Sequence, residues 1–165
     1  VYPMTTPLNR ILEDKPDGFI LSNGPGNPSK MSSSIALTKE IINANLPVMG
    51  INMGHLLIAL SQELEIVKLK SGRRGANRPV LNHLTGKGEI TTQNHSFVVV
   101  RESAESNNDI EITHSHLNDG TVAGIALKNK DVFSVQFHPE PSVGPHDSFY
   151  LFDQLIEKME NNKKK

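Results

Sequence analysis

Val48–Leu60 reads VMGINMGHLLIAL. A short apolar run ends at Gly50, Gly54 follows four residues later, and helix-like sequence comes after. That is the outline of a nucleophile elbow, a sharp turn from strand to helix that presents one side chain at the bend. The presented position should hold Ser or Cys. Here it holds Asn52, whose amide nitrogen delocalises its lone pair into its own carbonyl and cannot attack a substrate.

Working outward, DGFILSNGPGNP (Asp17 to Pro28) predicts a buried strand followed by a Gly/Pro turn. SSSIALTKEIINANL (Ser32 to Leu46) predicts a helix behind a serine cap, with Ile35, Leu37, Ile41 and Ile42 near helical spacing. PVMGI then predicts a second strand, and a helix begins near Met53. Strand–helix–strand–helix alternation is the signature of a parallel α/β sheet. The second half is richer in strand, with LEIVKLK, GEITTQ, SFVVV, DIEITHSH, TVAGIAL and VFSVQF each alternating or running apolar. DSFYLFDQLIEKMENN (Asp147 to Asn162) predicts a final helix with Phe149, Phe152, Ile156 and Met159 on one face. The expected fold is one α/β domain over residues 1–160: a mostly parallel central sheet flanked by helices, with an antiparallel extension. A basic tail, residues 161–165, follows.

Composition narrows the chemistry. A chain of 165 residues with 36% hydrophobic and 21% charged residues can bury a real core. A formal net charge of -1 gives no global pull toward nucleic acid or an acidic membrane surface, so neither is expected as a partner. The basic clusters KLKSGRR (Lys68 to Arg74) and KKK (Lys163 to Lys165) read as a solvated loop and a frayed tail. The absence of cysteine excludes disulfides, thiolate metal sites and a cysteine nucleophile within this chain. No apolar run reaches the ~18 residues of a membrane-spanning helix. Because the first residue is Val, the chain is expected to begin partway through a longer protein.

Ligand sites in such sheets lie at the carboxyl ends of the strands. SNGPGNP, GINMGH and QFHPE all reach that edge. QFHPE sets His138 and Glu140 two apart, so that extended backbone would send both side chains the same way. A carboxylate beside a histidine orients the imidazole and stabilises its protonated form, as a general base requires, although a structural ion pair gives the same pattern. NGPG (Asn23 to Gly26) offers backbone N–H groups in a tight turn, suited to an oxyanion but also to a plain turn. His114-Ser115-His116 has no acidic or cysteine cluster beside it, so no metal site is expected.

Taken together and in order, LSNGPGNP, GINMGH, KSGRRGANRPV, TTQNHSFVV and VQFHPEPSVGPHD resemble the blocks of the class I glutamine amidotransferase domain, a flavodoxin-like fold. Within that group, GRRGANRPV and GPHD resemble the glutaminase part of carbamoyl phosphate synthetase. The resemblance runs from about Asp17 to the final helix, and it implies a first strand and helix before Val1. In active members an elbow cysteine attacks the side-chain amide of glutamine, a thioester forms, and ammonia passes to an ATP-using synthetase portion. Carried over by position, His138 is the base and Glu140 its orienting carboxylate. Gly24 and Met53 supply the oxyanion-hole N–H groups, and Asn94 and Phe97 border the glutamine. The implied partner is the synthetase large subunit or fused synthetase domains, with glutamine as a further candidate ligand. No cofactor is implied in this domain, since ATP, Mg and bicarbonate would bind the synthetase portion. The implied location is cytoplasmic, or mitochondrial for an ammonia-dependent synthetase of the animal type.

Three positions depart from the family pattern. Asn52 stands at the nucleophile, Leu56 replaces the glutamine of Gly-His-Gln, and Ser96 replaces the glycine of Asn-His-Gly-Phe. Asn tolerates left-handed backbone better than most residues, so the elbow can persist without the reaction. Three changes around one pocket read as relaxation of the glutamine site rather than a single engineered inactivation. The resulting expectation is a non-hydrolytic domain that packs on, stabilises or regulates an ammonia-dependent synthetase. The alternatives are an active glutaminase subunit with altered chemistry, such as a water activated by His138 and Glu140, or with an engineered Asn52, and a binding module sensing a small ligand in the vestigial pocket.

Overall fold

The computed structural model describes residues 1–140 and 145–164. Helix α1 (Leu8–Leu12) precedes strand β1 (Phe19–Leu21), a 3-10 turn (Pro28–Lys30), helix α2 (Ser32–Asn43), strand β2 (Val48–Ile51) and helix α3 (Met53–Ser61). Next come β3 (Ile66–Asn82), β4 (Lys87–Val99), α4 (Arg101–Ser106), β5 (Ile110–His116), β6 (Val122–Leu127), β7 (Val132–Val135) and α5 (Tyr150–Asn162). The seven strands form one sheet in the order β1-β2-β7-β6-β5-β3-β4. β1, β2 and β7 pair in parallel, and the remaining neighbours pair antiparallel. Five strands share one direction, with β6 and β3 opposing them, so the α/β sheet with an antiparallel extension stands as expected.

Helices cover both faces of the parallel half. Leu37, Ile41 and Ile42 of α2 and Leu56, Ile58 and Ala59 of α3 pack with Leu21, Val48 and Val132 on one face. On the other, Leu151 and Leu155 of α5 pack with Met49, Ile51, Phe133 and Val135. Because both faces are covered, VMGI and VFSV are buried at every position, which explains why these strands run apolar instead of alternating.

Several local expectations are corrected. The α2 cap is Met31, which makes no side-chain cap bond, and Ser32 is already inside the helix. The inner face of α5 is Leu151 and Leu155. Phe149 and Ile156 are exposed, and Phe152 and Met159 flank the core at its edge. A wide apolar stripe on a short amphipathic helix leaves two adjacent faces equally plausible from spacing alone, and the sheet selects between them. KLKSGRR is not a loop but part of β3, paired with β4 through Lys68↔Phe97, Arg73↔His95 and Arg74↔Asn94. Breaks in register between Lys68/Arg73 and Gly75/Arg78 bulge this ribbon. At the C-terminal end α5 extends to Asn162, and Lys163 Nζ pairs with Asp17 at 2.7 Å. Of the GPHD motif, Gly144 lies outside the described residues. Asp147 accepts a hydrogen bond from Ile90 N at 2.9 Å, which ties the start of α5 to β4. Among the described residues, no helix is long and apolar enough to cross a membrane.

Candidate functional site

The elbow is present and tightly built. Asn52 joins β2 to α3 with φ 52 and ψ -99, a positive-φ conformation outside the left-handed helical well. The expected left-handed geometry is therefore corrected: the turn lies nearer to a strained γ-type bend, which is less accessible even to asparagine. Two glycines permit it. A Cβ on Gly54 would stand 2.0 Å from the Leu21 carbonyl oxygen, and one on Gly50 would stand 2.6 Å from Ile58 Cδ1. The helix can therefore approach β1 and β2 this closely only where both side chains are absent.

Asn52 is 4% exposed, and each polar atom of its side chain is engaged. Nδ2 donates to Asn94 O at 3.0 Å and lies 3.0 Å from His138 Nε2, while Oδ1 accepts from Gln136 Nε2 at 3.3 Å. The Asn94 carbonyl can only accept, so the nitrogen of the amide must face it. The second N–H then points at His138 Nε2, which must carry the lone pair, leaving the imidazole proton on Nδ1 toward Glu140. His138 Nδ1 and Glu140 Oε2 are 3.4 Å apart. This contact with His138 holds the Glu140 carboxyl below the usual carboxylate range. His138 itself is pinned to β4 by its N–H, which donates to Thr92 O at 2.8 Å.

A cleft of about 380 Å³ opens over the elbow. Gly24, Asn52, Met53, Leu56, Asn94, Ser96 and Phe97 line it, together with His95 and Arg74. His138 and Glu140 line an adjoining cleft of about 610 Å³, and Arg74 and Asn94 border both. Leu56 is 2% exposed and is part of the core as well as the cleft floor. A further histidine flanks the cleft: burial pushes His95 down to about 4, and its Nδ1 donates to Phe97 O at 3.0 Å. Behind the elbow His55 is fully buried, which pushes it down to about 3, and its Nδ1 meets Ser134 Oγ at 2.9 Å.

Sequence reasoning missed Gln136 and Arg74. Gln136 stands two residues before His138, so it faces the same way, and that spacing could have revealed it. Arg74 reaches the cleft through the bulged pairing of β3 with β4, for which no local pattern exists. His114 and His116 do not converge on a common ligand site. His114 Nε2 lies 3.2 Å from Tyr150 Oη, and His116 Nδ1 accepts from Asn118 N at 3.2 Å. Among the described residues no group of three or more His, Cys, Asp or Glu is arranged to hold a metal ion. A separate cleft of about 450 Å³, bordered by His114, Phe133, Tyr150 and Lys158, touches none of the elbow residues.

The chain is similar to known proteins. The chain is 45% identical over 164 residues to the carbamoyl phosphate synthase small chain of Fusobacterium nucleatum, covering 99% of this chain and 45% of that one. It is 48% identical to the Bacillus cereus small chain, covering 99% and 44%, and 47% identical to that of Porphyra purpurea, covering 99% and 42%. The chain thus spans less than half the length of these relatives. A crystal structure described as that of a putative GMP synthase component from Thermoplasma acidophilum superposes with a TM-score of 0.82 at 22% identity, covering 99% of this chain and 81% of that one. At that identity the likeness concerns the fold. The family profile described as Glutamine amidotransferase class-I matches residues 1–158, and the chain belongs to that family.

Proposed function

We propose that this chain is the amidotransferase-like domain of a carbamoyl phosphate synthetase and does not hydrolyse glutamine itself. The observation that carries the reading is the contact between Asn52 Nδ2 and His138 Nε2 at 3.0 Å. A general base works through the lone pair on Nε2, and here that lone pair already receives an N–H that will not be surrendered. An amide is far too weak an acid for the imidazole to deprotonate, so Asn52 occupies the base and supplies no nucleophile. Losing a covalent nucleophile typically lowers the rate by roughly 10⁶-fold. The same contact weighs against a water-based mechanism, because a water would have to displace Asn52 from His138 before being activated.

On this reading the domain packs on, stabilises or regulates the synthetase large subunit or fused synthetase domains. Those domains would bind ATP, Mg and bicarbonate in the cytoplasm and take free ammonia. In the intact elbow, the N–H groups of Gly24 and Met53 form the former oxyanion hole, and Glu140 orients His138. Leu56, Asn94, Ser96 and Phe97 mark the former glutamine site. The test is glutamate release from glutamine by the purified chain, alone and with its synthetase partner. No release is expected, and turnover abolished by His138→Ala would refute the reading.

A further inference from the structure

The inward face of β4 carries a row of polar side chains. Thr91, Gln93 and His95 alternate along the strand and all three are buried, so their hydrogen-bond partners must come from within the chain. They are linked end to end. Thr91 Oγ1 donates to Arg78 O at 2.7 Å, Gln93 Nε2 donates to Thr91 Oγ1 at 3.2 Å, and Gln93 Oε1 faces His95 Nε2 at 3.1 Å. At the far end His95 Nδ1 meets Phe97 O at 3.0 Å.

Each link fixes the next. A backbone carbonyl only accepts, so Arg78 O takes the single Thr91 hydroxyl proton, and the hydroxyl oxygen must then accept from the nitrogen of Gln93. That turns the amide oxygen toward His95, whose other nitrogen faces the Phe97 carbonyl. Both ring nitrogens meet acceptors, so this polarity requires a proton on each, an imidazolium. The surroundings oppose that charge. The charged and titratable groups facing His95 are Arg73 on β3, His116 on β5, His138 beyond β7 and His55 on α3, with no carboxylate among them. Burial pushes His95 down to about 4, with the Phe97 carbonyl opposing the shift and Arg73 adding to it.

For a neutral His95 there is one complete alternative. The proton stays on Nδ1 for the Phe97 carbonyl, and Gln93 exchanges the two ends of its amide and donates to Nε2. Gln93 Oε1 then accepts from Thr91, whose hydroxyl leaves Arg78 O. A half-turn of one amide thus keeps every side-chain contact except the one to Arg78. In the ladder Arg73 pairs with His95, Gly75 with Gln93 and Arg78 with Thr91, so the three side chains run alongside the register break between Gly75 and Arg78. Arg78 closes that bulge: its Nε and a terminal nitrogen donate to Arg74 O at 3.2 and 2.8 Å.

We propose that Thr91, Gln93 and His95 form a two-state proton relay: a second proton on His95 turns Gln93 and delivers the Thr91 hydroxyl to Arg78, so that the charge state at the cleft wall is read at the bulge of the ribbon. The relay is independent of glutamine hydrolysis, because its members make no hydrogen bond to Asn52 or His138 among the described residues.

The experiment is NMR on the isotope-labelled full chain. At pH 7.5 His95 should be a neutral imidazole with its proton on Nδ1, and Gln93 Nε2 should show a through-hydrogen-bond coupling to His95 Nε2. On acidification the His95 ring, the Gln93 amide and the Arg78 carbonyl should shift with one midpoint, below about 6.5. In Thr91→Val, His95 and Gln93 should still shift together while the Arg78 carbonyl stays unmoved. Gln93→Glu offers His95 acceptors only and sets a carboxylate beside the ring, so the His95 midpoint should rise by at least about one pH unit, with circular dichroism showing the chain folded. A proton on Nε2 at pH 7.5, an Arg78 carbonyl indifferent to His95, an Arg78 response that survives Thr91→Val, or a Gln93→Glu midpoint no higher than wild type would each overturn the relay. Where acid or a substitution unfolds the chain first, the position of the His95 proton in wild type at pH 7.5 decides alone.

Discussion

Replacing Asn52 by alanine and, separately, by glycine tests whether the elbow is strained and how much its side chain holds together. Both changes delete the same hydrogen bonds, to Asn94 O, His138 Nε2 and Gln136 Nε2. Asn94 and His138 border open clefts, so water can take over there. Gln136 is 1% exposed and its Oε1 already lacks a protein partner, so losing Asn52 strands the whole amide. The shared destabilisation should be about 2–3 kcal/mol, dominated by that buried group. The backbone separates the two variants. At φ 52 and ψ -99 a Cβ is strained by about 1–3 kcal/mol, and glycine removes this while adding about 0.5–1 kcal/mol of unfolded-state entropy. Asn52→Gly should therefore be more stable than Asn52→Ala by about 1 kcal/mol, the reverse of their order inside a helix. Urea unfolding followed by circular dichroism measures both, with equal m-values as the condition for comparison. Alanine equal to or more stable than glycine would refute the strain, and two near-neutral variants would refute the role given to Gln136.

Other consequences can be checked directly. Asn52→Cys alone should release little glutamate from glutamine, and adding Leu56→Gln and Ser96→Gly should raise the rate; a single change as active as the triple would show that Leu56 and Ser96 are innocent. Gly54→Ala places a Cβ 2.0 Å from the Leu21 carbonyl, backbone against backbone, and should lower stability by at least ~3 kcal/mol. A melting temperature within a degree of wild type would contradict that packing. Stability should also fall with acid. Burial pushes His55 to about 3 and His95 and His114 to about 4, so the unfolded chain takes up protons first as pH drops below about 6.5. Their contribution is complete above that pH and is lost as pH falls toward about 4, up to about 2 kcal/mol per histidine between pH 7.5 and 5. Urea midpoints at those two pH values, with His114→Gln flattening the difference, provide the measurement. An unchanged midpoint would mean that these histidines are not buried neutral.

Much of the frame is visible in local pattern. The apolar runs VMGI and VFSV, the Gly50–Gly54 spacing and the two-residue step from His138 to Glu140 are short-range signals. Each is dictated by burial on two faces, by close backbone approach or by strand alternation. The α5 face and the KLKSGRR segment depart from expectation for a common reason. Their local spacing fits two arrangements, and the choice depends on what packs opposite: β2 and β7 for Leu151 and Leu155, and β4 for the basic strand.

The amino-acid sequence alone determined that the elbow has no nucleophile, because no environment can turn an amide nitrogen into one. It also set Gly50 and Gly54 on either side of the bend. Only the tertiary structure decided what Asn52 does instead. Asn94, Gln136 and His138 lie 42, 84 and 86 residues away along the chain, and strand pairing alone brings them within hydrogen-bond distance. The same pairing carries Arg74 to the cleft wall. Which donors and acceptors remain open there is a property of the folded sheet, since hydrogen-bond occupancy depends on partners that are remote in sequence and adjacent only in space.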